Sequence, residues 1–298
     1  MPKTKLNPKN LKELTLEDAI SSASSRVKDL RLEKLEHLSP ECAEQLVKWK
    51  GRDLALGLTT LDVTIAEHLS HSKTHSLVLH GIKRLPAEVA EKLAQWGGSL
   101  LLMGTLEEID AATARALSHW KGTVLRIGRA MRGVNEEVMS AFASWSGSDL
   151  QFGGDQPVLG ADLARAIAPW GGDSLVLGGF QEIKADGAEA IASFRGGRLV
   201  LPVKRLGEGA AEKLAAWQGK SLYLADVEEL DEADARGLSS WGGEVLVLNE
   251  VSKISLEGAE YLSQWSGREL HVYNLYTADK PIREALKKFQ GKLTLPEF

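Results

Sequence analysis

Histidine is the residue whose type and spacing come nearest to chemistry in this chain. Of seven histidines, four fall close together at His68, His71, His75 and His80. His68 and His71 stand about one helical turn apart, so their imidazoles share a face, and His75 follows where that helical pattern ends. A zinc centre needs three or four ligands converging at about 2.0 to 2.1 Å, with second-shell partners to orient them. A helix turn, a loop and a strand spread these four along the chain, and no cysteine or carboxylate cluster joins them. The expectation is no metal site, and a metal-regulated sensor is the least favoured reading of function. The single cysteine, Cys42, falls on the inward half of a helical pattern and reads as a buried structural thiol. There is no phosphate-binding glycine loop followed by lysine, no G-x-S-x-G elbow, no H-E-x-x-H and no cysteine pair. The expected chain is therefore not an enzyme and carries no cofactor.

The elements that position these residues follow from one periodicity. All eight tryptophans recur at a single place in a pattern of 23 to 25 residues: Trp49, Trp96, Trp120, Trp145, Trp170, Trp217, Trp241 and Trp265. Ser25, Ser72, Phe194 and Phe289 fill the remaining positions, making twelve units. A residue that recurs with the period of the fold is read as core rather than as a ligand-stacking platform. A glycine stands two residues later in ten units, from Gly51 to Gly291. Just past a helical pattern, it reads as a left-handed cap.

Five residues after the anchor comes leucine, as in Leu54, Leu101, Leu150 and Leu222, with an apolar partner two further on. This L-x-L alternation predicts a short strand with one face inward. A loop follows, then a buried Leu, Ile or Val. Next come helix-start residues: Ser39-Pro40, Asp62, Asp110, Asn135, Asp231, Ser255 and Asp279. Ala90, Leu93 and Trp96 illustrate an i, i+3, i+6 stripe on the helix. Strands joined by helices must run parallel. Strands stack about 4.8 Å apart while helices need roughly 8 to 10 Å, so twelve units bend into a solenoid with the sheet inside.

The stretches SLVLGGFQEI, SLYLADVEEL and EVLVLNEVSKI, followed by helices of the PAEVAEKLAQW type, resemble the leucine-rich repeat family. The resemblance covers about residues 15 to 298 and is closer to divergent bacterial repeats than to animal or plant classes. It implies an α/β right-handed horseshoe whose parallel sheet lines the concave face, a fold that usually binds proteins. The sequence departs from the common motif in two ways. Glycine of the W-x-G turn replaces the family's first leucine, and the asparagine-ladder position is mostly apolar, at Leu35, Ile82, Leu106, Phe180 and Val227. The expected organisation is a polar cap segment over 1–14 and one solenoid domain over 15–298.

A net charge of -5 argues against a nucleic-acid partner, which would call for a basic excess. No apolar run reaches the roughly 20 residues of a membrane span, and the first ten residues lack a signal-peptide core, so a cytoplasmic protein without membrane contact is expected. The inner face carries the functional signal. Between paired strand leucines one residue points outward, and the candidate partner-binding strip is Leu102, Arg126, Gln151, Val176, Val200, Tyr223, Val247 and His271. A strip so rich in apolar residues marks an interaction surface, while β-propensity alone is the competing account of its valines. Beside it Gly104, Gly128, Gly153 and Gly178 either open the floor to a partner or serve the turn. The expected function is a non-catalytic scaffold binding a protein or peptide on the concave sheet; the alternative is a homo-oligomer formed through the apolar inner face or an end repeat.

Overall fold

The computed structural model describes residues 11–297, so the first ten residues of the expected cap segment lie outside the described residues. Twelve strands, from Asp29–Leu32 to Lys292–Thr294, pair in parallel in chain order. The strand leucines share one register row, beginning Leu30↔Leu54 and ending Leu270↔Leu293. From Leu54 to Leu270 each is fully buried, which fixes the register: a slip by one residue would turn the whole row out to solvent. Among the described residues twelve short helices, Leu16–Ala23 to Lys280–Leu286, pack neighbour on neighbour along the other layer. None of them is long and apolar enough to cross a membrane.

Most helix starts follow their caps. Ser39, Asp62, Asp110, Asn135, Asp231 and Ser255 each accept a hydrogen bond from the backbone N–H three residues on. Asp279 occupies the same position without making that bond. At the other end the structure corrects the helical stripe. The helix Ala87–Leu93 ends in a cap at Ala94, and Trp96 lies past it, its N–H donating to the Leu93 carbonyl at 2.9 Å. The tightened turn, not the helix, carries the anchor inward.

There the rings stack. From Trp96 through Trp120, Trp145, Trp170, Phe194, Trp217, Trp241 and Trp265 to Phe289, successive centroids lie 5.7 to 6.4 Å apart with planes within 7°. All eight tryptophans are buried. Six indoles donate Nε1–H to the carbonyl of the preceding anchor, at 2.7 to 2.9 Å. Ring spacing exceeds the strand spacing of about 4.8 Å, so the rings sit at larger radius and the sheet is on the concave side.

The glycine of W-x-G is not a left-handed cap. Among the described residues positive φ is confined to Gly133, Gly179 and Gly209; the glycine is required because a Cβ there would land inside the ring of the tryptophan two residues earlier. Of the two units with serine in place of the ring, at Ser25 and Ser72, the internal one supports this. Ser72 replaces Trp, Thr74 replaces Gly, both are buried, and their hydroxyls lie 3.0 Å apart. Volume lost at one position is refilled at the other. Cys42 is buried as expected, its Sγ 3.3 Å from the Leu14 carbonyl.

The loops, lacking an asparagine ladder, bond to one another. Leu35, Ile82, Leu106, Phe180 and Val227 fill the core beneath them. Above, a loop N–H reaches back to the preceding loop, as in Glu36 to Lys12 (2.8 Å), Glu107 to Lys83 (2.9 Å), Gln181 to Pro157 (2.9 Å) and Ser252 to Glu228 (2.9 Å). In the C-terminal half these contacts become short parallel strands flanking the main sheet.

Candidate functional site

The candidate strip is a single register row. Leu102 pairs with Arg126, Arg126 with Gln151, Gln151 with Val176, Val176 with Val200, Val200 with Tyr223, Tyr223 with Val247 and Val247 with His271. Because side chains alternate across the sheet, the residue before each strand leucine shares this face. That second row includes Leu100, Val124, Asp149, Ser174, Arg198 and Glu269.

Exposure divides the strip. Leu102, Arg126, Gln151, Val176 and Tyr223 are half-buried, whereas Val200, Val247 and His271 are buried. Toward the N-terminal end Val78, Leu100, Leu102 and Val124 form a half-exposed apolar group. At its border Arg126 Nη2 lies 3.3 Å from Asp149 Oδ2. The Gln151 amide oxygen, oriented to satisfy both groups, accepts from Arg129 Nε and Nη2 at 2.8 and 3.1 Å.

Toward the C-terminal end the face is bonded to itself. The Arg198 guanidinium lies 4.5 Å over the Tyr223 ring, a cation–π contact, and donates to Ser174 at 3.1 Å. His271 touches Thr294 Oγ1 at 2.9 Å, Glu269 Oε2 at 3.2 Å and the Tyr273 hydroxyl at 3.2 Å. The hydrogen bond from Lys292, then that from His271, holds the Glu269 carboxyl below its usual range. Arg198, Asp149 and Glu269 were not singled out by the L-x-L reading. Their parity, one residue before the leucine, was the signal for them.

The other expectations separate by geometry. Gly128 and Gly153 are packed so that a Cβ would strike backbone carbonyls of adjacent loops, and Gly178 lies close to the Arg129 carbonyl; only Gly104 is open. Three of the four therefore serve the turn. His71 Nδ1 lies 2.9 Å from the Glu67 carbonyl, His75 and His80 are exposed, and among the described residues no three His, Cys, Asp or Glu side chains converge as a metal site.

No family model matches the sequence, and no curated protein matches it. Solved structures similar in fold include the yeast Rad7 and Elc1 complex, at 15% identity over 91% of this chain and 81% of that chain, TM-score 0.48. A leucine-rich repeat protein of Leptospira interrogans is 13% identical over 98% of this chain and 97% of that one, TM-score 0.36. The Toll–Spatzle complex of Drosophila is 11% identical over 87% and 42%, TM-score 0.40. The fold is a leucine-rich-repeat-like α/β horseshoe. These likenesses concern the fold alone; the parallel sheet, the buried strand leucines and the outer helix layer described above carry the assignment.

Proposed function

We propose that this protein is a non-catalytic scaffold that binds a protein or peptide partner on its concave sheet, without a cofactor. Residues 15–298 act as one domain and 1–14 as its cap segment. The supporting observation is the register row itself: one continuous sheet presents Leu102, Arg126, Gln151, Val176 and Tyr223 in line, half-exposed. The apolar group around Leu102 supplies area to bury. Arg126 and Tyr223 supply the residue types that dominate interface energetics. Asp149 and Arg198 hold those two side chains in place, which lowers the entropy lost on binding.

The test is capture from the native host by the full chain beside three variants: Arg126→Glu, Tyr223→Ala and, on the helix side, Arg115→Glu. The first two should weaken the captured partner by at least about 1 kcal/mol each, with Arg115→Glu neutral and all three folded by circular dichroism. Retention of the partner by both concave variants and its loss with Arg115→Glu would place the interface on the helices instead.

A further inference from the structure

The concave sheet is positively charged at its centre, although the chain as a whole carries a net charge of -5. Along the two inward rows, from Ser76 and Val78 to Val245 and Val247, the charged residues are Arg126, Asp149 and Arg198. Arg129, just past the exit of the Arg126 strand, brings a third guanidinium back onto this face through its contact with Gln151. Three guanidiniums therefore meet one carboxylate. Arg126 takes it, with Nη2 at 3.3 Å from Asp149 Oδ2. The next carboxylate, Asp173, is occupied by the Gly197 N–H at 3.0 Å.

Arg129 and Arg198 make no ion pair among the described residues. Each is held by neutral groups instead. The Gln151 amide oxygen accepts from Arg129 Nε and Nη2 at 2.8 and 3.1 Å. Arg198 lies 4.5 Å over the Tyr223 ring and donates to Ser174 at 3.1 Å. An amide oxygen or a ring face fixes the direction of a guanidinium without cancelling its charge. Of the five N–H donors on each group, these contacts use two on Arg129 and one on Arg198. Gln151 and Ser174 belong to adjacent strands, so the two guanidiniums are presented one to two strand spacings apart, roughly 5 to 10 Å. Alternate side chains of an extended peptide point the same way about 6.8 Å apart, which matches that interval. Val176 lies between the two guanidiniums, and the half-exposed Leu102 and Val124 adjoin Arg126.

We propose that the centre of the concave sheet binds an extended acidic peptide segment, with carboxylates at two alternate positions taken by Arg129 and Arg198. An aliphatic side chain on the same edge of that segment lies on the Leu102 and Val124 group. This inference rests on the concave-face reading above and narrows its partner to one charge and one spacing. Carboxylate is the planar anion a guanidinium fork matches, and the bonds formed are charge-assisted. Because both guanidiniums are already oriented, little side-chain freedom is lost when the partner docks. A nucleic-acid strand also offers anions, but it has no aliphatic group for Leu102 and Val124, and its phosphates are repelled by a chain of net negative charge.

The experiment selects a phage-displayed library of random dodecapeptides on the immobilised full chain and titrates synthetic copies of the enriched peptides by calorimetry. Arg129→Gln and Arg198→Gln remove charge while keeping a polar side chain. Leu102→Asp spoils the apolar part of the same face, and unfolding temperatures check the fold of all three. Enriched peptides should carry Asp or Glu at positions i and i+2 and Leu, Ile or Val at another position of the same parity. Each arginine change should weaken them about ten-fold or more, the loss for hydrogen bonds to charged groups, and added salt should weaken them further. Enriched peptides without acidic residues, or acidic peptides indifferent to both arginine changes, would overturn the proposal. If such peptides still respond to Leu102→Asp, the concave-face reading survives alone; if they do not, it fails as well. A library that yields no enriched peptide overturns the proposal and leaves the concave face to the capture test above. Binding of a single-stranded oligouridylate as tight as that of the peptides would also overturn it.

Discussion

The aromatic column from Trp96 to Phe289 and the unit at Ser72 solve the same packing problem in opposite ways. In the column a large ring and a bare glycine share the space; at Ser72 two small hydroxyl residues fill it. The difference extends to hydrogen bonding. Trp49 and Trp96, the two indoles whose preceding anchor is serine, have buried Nε1–H groups without a partner among the described residues. Every tryptophan preceded by an aromatic anchor is satisfied. Ring, glycine and preceding carbonyl therefore form one unit of exchange, and replacing any one alone should cost stability.

The largest break in that arrangement is Trp170→Ala. It removes a ring stacked on Trp145 and Phe194 and a hydrogen bond to the Trp145 carbonyl. Chemical denaturation should register a loss of about 3 to 5 kcal/mol, the range for large aromatic cavities. Gly172→Ala comes next, because its Cβ would enter the Trp170 ring; overpacking of this kind costs about 1 to 3 kcal/mol. Without the ring in the way, alanine at this position, which is not at positive φ, would instead add stability, so the sign of the change decides whether the ring is what requires glycine.

The comparison is sharpened by exchanging the two solutions. Ser72→Trp alone should destabilise, since Thr74 holds the space a ring needs, and Thr74→Gly alone should leave a void. Together they should show a favourable coupling of about 0.5 to 3 kcal/mol in a double-mutant cycle. Additive effects would mean that Ser72 and Thr74 do not stand in for a Trp–Gly pair.

The smallest expected effect lies at Asp234. Its pKa is raised in the folded chain from the ordinary 3.8 to about 7. Between those values the native state holds the proton more tightly than the unfolded state, so stability falls as pH rises from about 4 to 7 and then levels off. Asp234→Asn should flatten that slope, and denaturation midpoints measured across the range test it. Partial solvent exposure keeps the effect modest.

Much of this was legible in the sequence because the repeat averages over local accidents. Leucine five residues after eleven of the twelve anchors set the strand register, and Asp62, Asp110 and Asn135 marked helix starts by side chains that act within three residues. What escaped depended on contacts across a turn or between units. W-x-G resembles a helix cap in one dimension, and only folding back the indole reveals why glycine is needed. The alternation placed Val200, Val247 and His271 on the inner face correctly, yet their burial is a property of the whole assembled face.

The ring column also has an optical consequence. Parallel indoles whose centroids are about 6 Å apart exchange excitation far faster than they emit. Phe194 absorbs at shorter wavelength and interrupts the exchange. It divides the column into Trp96 to Trp170 and Trp217 to Trp265, with Trp49 apart beyond Ser72. Light absorbed anywhere in one segment is shared along it before emission, so the fluorescence of each half reports on that half as a whole, and a quencher seated beside one ring dims its entire segment.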